Sequence, residues 1–305
     1  MNYAHIIGLT GNKRCGKDTM AKLLSEHFVN HELTVAITHF SEPLKSMSLQ
    51  YLPSGIRQIM HQFIIQEFAA LGQTIHEQDA HFLSIVKDVF DGVGIASELR
   101  DKKFSISGMS SKSDSTDQLI RQNKTQLAYV MNNVVVNFCC DSGRTDTGHL
   151  TVFNDACRTL MDQVVHDWVE SENYELQSGI SIRDIEVVLG TYMRAWLGQD
   201  FWVDQWVHMV NDIEADIIIV KDIRMNNEAQ SVCRMGGDIF SIYRDGISTG
   251  GQHAHTTEQG ISHHLISQTI QNIEGSPELG ADEIAQYVLK HIVSVRDLDT
   301  HPAKF

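Results

Sequence analysis

Apolar positions along the chain follow two rhythms. Near the start, HIIGLTG is a short continuous apolar run, and after it Met20, Leu23, Leu24 and Phe28 recur at i, i+3, i+4 and i+8. The first pattern predicts a buried strand and the second a helix that opens at Gly16. TVAITHF predicts a second strand, closed by SEPLK, where Pro43 suits the first turn of a further helix. The same alternation returns after residue 200. ADIIIVKDIR and DIFSIYR read as strands, QTIQNIEG as a weaker one, and a closing helix carries Ile284, Ala285, Val288, Leu289 and Ile292. Near-continuous β-branched runs suit strands buried on both faces, as in a parallel sheet.

The text between these parts is different. It mixes helical segments with a Ser-rich passage, SISGMSSKSDSTD, that reads as a mobile loop, and a turn-rich passage, CCDSGRTDTGHL. One strong helix places Cys157, Leu160, Met161, Val164, Val165 and Trp168 on a single face. The expected fold class is therefore α/β. Residues 1–45 and 200–305 form a three-layer core on a five-stranded parallel sheet, and 46–199 form a large, mostly helical inserted lid or substrate-binding subdomain. No internal repeat is found.

Charge narrows the partners. The formal net charge of -15 repels polyanions, which argues against a broad nucleic-acid surface or an anionic-membrane surface and leaves a small anionic ligand open. No apolar run reaches the about 18 residues that span a bilayer. The start of the chain runs straight into a strand without a basic leader, and five cysteines form no regular framework, so they read as reduced thiols in a cytoplasmic protein. The apolar face ending at Trp168 could serve a homodimer as well as a core.

Within this acidic chain, GLTGNKRCGKDT concentrates three cations between two glycines. The spacing from Gly11 to Gly16-Lys17, between a strand and a helix, is that of a phosphate-binding loop. Such a turn aims backbone N–H groups and the positive end of a helix dipole at one spot. Gly11, Asn12, Lys13, Arg14, Cys15, Gly16, Lys17, Asp18 and Thr19 are thus the candidate cradle for the ATP polyphosphate, with Lys17 bridging the β- and γ-phosphates. Lys13 is either part of this positive well or simply solvated, and Arg14 is the better candidate for the transferred phosphoryl group. Asp18 stands where the common form has a Ser or Thr that donates its hydroxyl to Mg²⁺. Either its carboxylate holds the ion through water, or nucleotide and water hold the ion alone and Asp18 is a first-turn acid favoured by the dipole. Thr19 keeps a hydroxyl close to the α-phosphate. Cys15, beside a helix N-terminus and two cations, is either a thiol of lowered pKa or a small filler.

Such loops need a partner acid at the end of a neighbouring parallel strand, and Asp222 stands where the apolar run ADIIIV gives out. It reads as a water-mediated Mg²⁺ ligand or as a cap for the next helix. Arg224 would lie on the same rim, with Glu228 orienting it. Arg244 precedes DGISTGGQHAH, which has the composition of a closing loop. His253, His255, His263 and His264 match no zinc framework.

With GNKRCGKDT, HFSEPLK, VLGTYMRAWLGQDFWVDQW, DIRMNNEA and HTTEQG in view, the chain resembles the bacteriophage-type deoxynucleoside monophosphate kinases. The likeness covers both ends and residues around 188 to 206. It implies a P-loop nucleoside-monophosphate-kinase fold, ATP and Mg²⁺, and transfer of the γ-phosphoryl group to the 5′-phosphate of a deoxynucleotide, in the host-cell cytoplasm if the protein is phage-encoded. It further implies that Lys17 holds the donor phosphates, Asp222 the hydrated Mg²⁺, Arg224 and Arg244 the transferring group, and Thr191 with Arg194 the acceptor monophosphate. Glu42 and Lys45 would line the acceptor side. The chain departs from the family pattern in Thr256-Thr257, where a Ser is expected before Glu258, and in its large insertion.

The chemistry agrees. A nucleotide phosphate has its second pKa at about 6 and is already largely anionic at neutral pH, so the attacking oxygen needs no dedicated base. Two other readings stay open: a P-loop kinase of a hydroxyl-bearing small molecule with Asp222 as base, and a nucleotide-binding protein without turnover.

Overall fold

The computed structural model describes residues 4–12, 14–75, 84–85, 88–89, 96–105, 116–145, 149–171, 176, 179–245 and 260–300. Two compact units emerge, one of Met1–Ser41 with Val203–Phe305 and one of Glu42–Trp202.

The elements of the split unit are β1 (His5–Thr10), α1 (Lys17–Asn30) and β2 (Val35–Thr38), then, after the other unit, β3 (Ile217–Ile223), β4 (Asp238–Tyr243) and β5 (Gln268–Gln271) with their helices. All strand pairs are parallel and the order is β2-β3-β1-β4-β5, so β1 and β3 lie inside the sheet. Alternation within the apolar runs explains the layers. Ile7, Leu9, Ile217 and Ile219 bury one face against Met20, Leu24 and Phe28 of α1 and against Ile284 and Val288 of the closing helix Pro277–Thr300. Ile6, Ile218 and Val220 bury the other face against Trp206 and Val210 of the helix Phe201–Asn211 and against Ala229 and Val232 of the helix Asn226–Arg234. A strand apolar on both faces needs cover on both, which is why these runs read as continuous.

The second unit is helical. In chain order its helices are α2 (Glu42–Tyr51), α3 (Ser54–Ala70), α4 (Ala96–Leu99), α5 (Thr116–Asp141), α6 (Leu150–Ser171) and α7 (Ile182–Leu197); the three helices of the first unit that follow are α8 (Phe201–Asn211), α9 (Asn226–Arg234) and α10 (Pro277–Thr300). The passage CCDSGRTDTGHL is less turn-rich than it reads: α5 runs on through Cys139 and Cys140 to Asp141 because Val134, Val135 and Cys139 are core positions. The face of α6 ending at Trp168 is buried within the chain's own helical core, with Cys157, Met161 and Val165. Helix α7 starts at a capping box, Ser181 Oγ accepting from Asp184 N at 3.2 Å and Asp184 Oδ2 from Ser181 N at 2.7 Å. All but the start of SISGMSSKSDSTD up to residue 115 lies outside the described residues, as do His253, His255, Thr256, Thr257 and Glu258. Among the described residues no helix is long and apolar enough to cross a membrane.

Trp206 is fully buried, tilted against Phe40 with ring centroids 4.2 Å apart, and donates its indole N–H toward Thr38 Oγ1 at 3.4 Å. Trp206→Ala should lower the unfolding stability of this unit by about 3–5 kcal/mol, read by urea denaturation; a loss below about 1 kcal/mol would show that the site collapses around the missing ring.

Candidate active site

The loop after β1 is held by contacts that leave no room for side chains. Gly11 has φ 138°, and a Cβ there would lie 2.1 Å from the Ile242 carbonyl oxygen. Gly16 has φ 97° and forms the N-cap of α1 with no side-chain acceptor; a Cβ there would lie 2.1 Å from Asn272 Nδ2. Asn272, buried at the end of β5, donates its amide to Cys15 O at 2.7 Å and its backbone N–H to Tyr243 O at 2.8 Å, which ties the loop to the sheet. With no side chain capping it, the first turn of α1 presents N–H groups that have no partner within the helix.

Lys17 lies along this loop with its side chain 10% exposed. Its Nζ donates to Gly11 O at 2.7 Å and Asn12 O at 2.9 Å and lies 3.5 Å from Asp222 Oδ1. Asp222 reaches this position because β3 carries a bulge. Gly8 pairs with Val220 but Thr10 pairs with Ile223, so β3 has one residue more than β1 in that interval, and Asp222 adopts φ 69°. A regular strand would send Lys221 and Asp222 to opposite faces. Here Asp222 meets Lys17, while Lys221 Nζ lies 3.2 Å from Asp18 Oδ1. Buried Thr10 closes the bulge by donating its hydroxyl to Ile223 O at 2.8 Å.

Arg224 donates to Asp222 Oδ2 from Nε at 2.9 Å and also from Nη2. Burial pushes the Asp222 carboxyl up, but the Arg224 guanidinium and then Lys17 outweigh it and hold the group below the usual carboxylate range. The Glu228 carboxylate accepts the backbone N–H groups of Arg224 at 2.8 Å and Met225 at 3.0 Å, capping α9, and burial pushes its carboxyl up against those bonds. Of the two readings open for Cys15, burial favours the small filler: it raises the thiol pKa, with Lys17 opposing.

Other predicted residues stand apart from this group or outside the description. Arg14 is exposed in the left-handed region at φ 68°, and Arg244 pairs with Glu274 at 2.5 Å. Thr19, in the first turn of α1, is exposed. Lys13 lies outside the described residues. His263 and His264 are exposed in a short turn of helix, and among the described residues no group of three or more His, Cys, Asp or Glu side chains could hold a metal.

Within the helical unit, Glu42 opens α2 half-buried, and Lys45 is 4% exposed. Lys45 faces Glu186 of α7, whose Oε2 accepts Arg100 Nε at 3.0 Å and Nη2 as well, and whose Oε1 has no hydrogen-bond partner among the described residues. Burial pushes the Glu186 carboxyl up, and Arg100, Lys45 and Arg183 oppose it. Thr191 and Arg194 are half-buried one turn further along α7, where the absence of a side chain at Gly190 leaves space that Leu44 and the Arg194 guanidinium flank. Asn272, Lys221, Arg100 and Glu186 escape sequence reasoning. Asn272 and Lys221 carry at most the signal of a polar residue at the end of an apolar run, and the contact of Arg100 with Glu186 spans parts of the chain with no shared pattern.

A family model described as deoxynucleotide monophosphate kinase matches residues 5–279, taking in the loop, the bulge and the whole helical unit. The chain belongs to the deoxynucleotide monophosphate kinase family. No curated protein matches it by sequence. As a member of this kinase family the protein is an enzyme that transfers a phosphoryl group from ATP to a deoxynucleoside monophosphate. Its five-stranded parallel sheet with a large helical insertion is the P-loop kinase core with a lid.

The Asp222 pairing has a pH signature. Because its pKa is lower in the folded chain than the unfolded value of about 3.9, the stabilisation is complete above about pH 4 and is lost as the pH falls through the folded value. Asp222→Asn, in which Asn tolerates the left-handed backbone, should melt below the wild type at pH 7, with the gap closing below about pH 4. A gap that does not change with pH would show that the ion pairs do not set it.

Proposed function

We propose that the loop Gly11–Thr19 holds the ATP polyphosphate, that Lys17 bridges the β- and γ-phosphates, and that Asp222, with Asp18 beside it, takes a water-coordinated Mg²⁺. The observation that carries this reading is the Lys17–Asp222 pair beside a helix N-terminus that no side chain caps. The donor set fits the group: a half-exposed carboxylate kept ionised by two cations suits a hydrated hard cation, and uncapped N–H groups suit phosphate oxygens. Bound there, Mg²⁺ would neutralise charge on the phosphate oxygens. Arg14, Arg224 and Arg244 supply the cations for the transferring group, Arg224 by exchanging Asp222 for phosphate.

On the acceptor side, Thr191 and Arg194 grip the deoxynucleotide monophosphate, and Glu42 and Lys45 line the same region of the helical unit. The acceptor phosphate is anionic at neutral pH, so positioning and charge neutralisation suffice. The family match weighs against the kinase of a hydroxyl acceptor. The five cysteines are free, which suits a reducing cytoplasm, the host's if the gene is a phage's.

ADP release coupled to ATP-Mg²⁺ with each common dNMP tests the activity and reads its base range. In that assay Lys17→Met should lower kcat by at least about two decades, and retention of more than a tenth of the turnover would remove Lys17 from the donor site.

Arg194 is tested separately, because a guanidinium grips a monophosphate through two parallel hydrogen bonds and an ammonium cannot. Arg194→Lys should raise the KM for the deoxynucleotide about tenfold and leave ATP affinity without acceptor within about twofold. Equal weakening toward both nucleotides would assign the residue to the fold instead.

A further inference from the structure

The loop and the bulge carry the same dipeptide, and they pair reciprocally. Lys17-Asp18 opens α1 and Lys221-Asp222 sits in the β3 bulge; Lys17 lies 3.5 Å from Asp222, and Lys221 lies 3.2 Å from Asp18. The second pair raises a problem of charge. Asp18 belongs to the first turn of α1, where the proposed polyphosphate gathers, and a carboxylate there repels a ligand that carries several negative charges. Its side chain is 86% exposed, so desolvation does not remove its charge. Lys221 is the opposite case. Its side chain is only 23% exposed, and the bulge brings its ammonium to the positive end of a helix dipole, a place unfavourable to a cation unless an anion is there to meet it. Each charge is out of place alone, and the two compensate each other.

We infer that Lys221 is a positioning residue of the donor site: by pairing with Asp18 it cancels the carboxylate charge that would otherwise repel the nucleotide, and so lets a loop with an acid after its lysine accept polyphosphate. The inference rests on the reading of Gly11–Thr19 as the phosphate cradle. Two unit charges about 4 Å apart interact by about 1 kcal/mol in bulk water and by more in a partly dry site, so an uncompensated Asp18 weakens nucleotide binding by about five- to tenfold. Divalent metal bound to the nucleotide neutralises part of the same repulsion, so the effect is largest without metal.

The test is equilibrium binding of ADP to the full-length protein in EDTA, by isothermal titration calorimetry, with thermal melting alongside. Lys221→Met should weaken metal-free ADP binding at least fivefold, the double variant Lys221→Met with Asp18→Asn should return it to within twofold of wild type, and Lys221→Arg should bind as wild type. A structural role for Lys221 would not be rescued by removing the carboxylate, so failure of the Asp18→Asn rescue in a folded double variant overturns the inference, as does wild-type binding by Lys221→Met. Should Lys221→Met melt too early to assay, Asp18→Asn alone decides: binding at least as tight as wild type supports the inference, and weaker binding overturns it. The reading of the loop itself fails differently, by Lys17→Met binding ADP as tightly as the wild type.

Discussion

One extra residue in β3 governs the geometry of the proposed donor site. The bulge between Val220 and Ile223 puts Asp222 at φ 69°, a conformation that costs a non-glycine residue of order 1–3 kcal/mol and persists only when its surroundings over-determine it. Here they do. Thr10 supplies the hydroxyl that the Ile223 carbonyl accepts, Lys17 and Arg224 hold the carboxylate from two sides, and β3 is anchored between β2 and β1 by regular pairing up to Val220. The strained residue therefore sits at the one point of the central sheet where regular pairing gives way to site geometry. The loop is over-determined in the same way from the other edge, through Asn272 and the Ile242 carbonyl that forbids any side chain at Gly11.

This division explains what could be read from residues alone. The strands β1, β3 and β4 announce themselves because burial on both faces demands uninterrupted apolar runs, and the loop announces itself because glycine spacing and a lysine are direct consequences of its backbone geometry. Lys17 and Asp222 were legible for that reason. Their contact was not: a bulge is one residue of register with no composition of its own, so nothing in IVKDIR says that Lys221 and Asp222 address the same helix end. Glu228 reads as a partner for the Arg224 side chain because both are charged and near in sequence, whereas the structure uses it for two backbone N–H groups, a need that becomes visible only once α9 is known to begin there. At Cys15 the sequence leaves filler and activated thiol both open, because the burial that favours the filler is a tertiary property and outweighs the neighbouring cations that sequence can count.

In the helical unit legibility falls further, for a physical reason. Helices packed on several sides lose the clean amphipathic stripe, and α5 runs through Cys139 and Cys140, which read as part of a turn, to Asp141. It is closed by Gly143 in the left-handed region, with the Gly143 and Arg144 N–H groups donating to Cys140 O at 3.1 Å and Cys139 O at 2.8 Å. The polar contacts there are also long in range: Arg100 reaches Glu186 and Lys103 reaches Asp184. Buried pairs of this kind add little net stability, since desolvation offsets the attraction. What they do is fix α7, the helix that carries Thr191 and Arg194, to the segment around residues 100–103 in one register.

The distribution of charge then fits the reaction more closely than any single residue does. The molecule carries a net charge of -15, yet its loop and bulge bring Lys17, Lys221 and Arg224 together with two acids that they largely neutralise. On the proposed reading, an anion would bind there by exchange, each cation leaving a carboxylate for a phosphate oxygen, so that little charge is left unpaired. Arg224 and Lys17 hold the Asp222 carboxyl below the usual carboxylate range, and Glu228 spends its carboxylate on backbone N–H groups. An alcohol acceptor would need a base. A phosphate acceptor, ionised before it arrives, needs only to be held in line while cations meet the charge of the transferring group, which is the part proposed above for Lys17 and Arg224, with Asp222 between them.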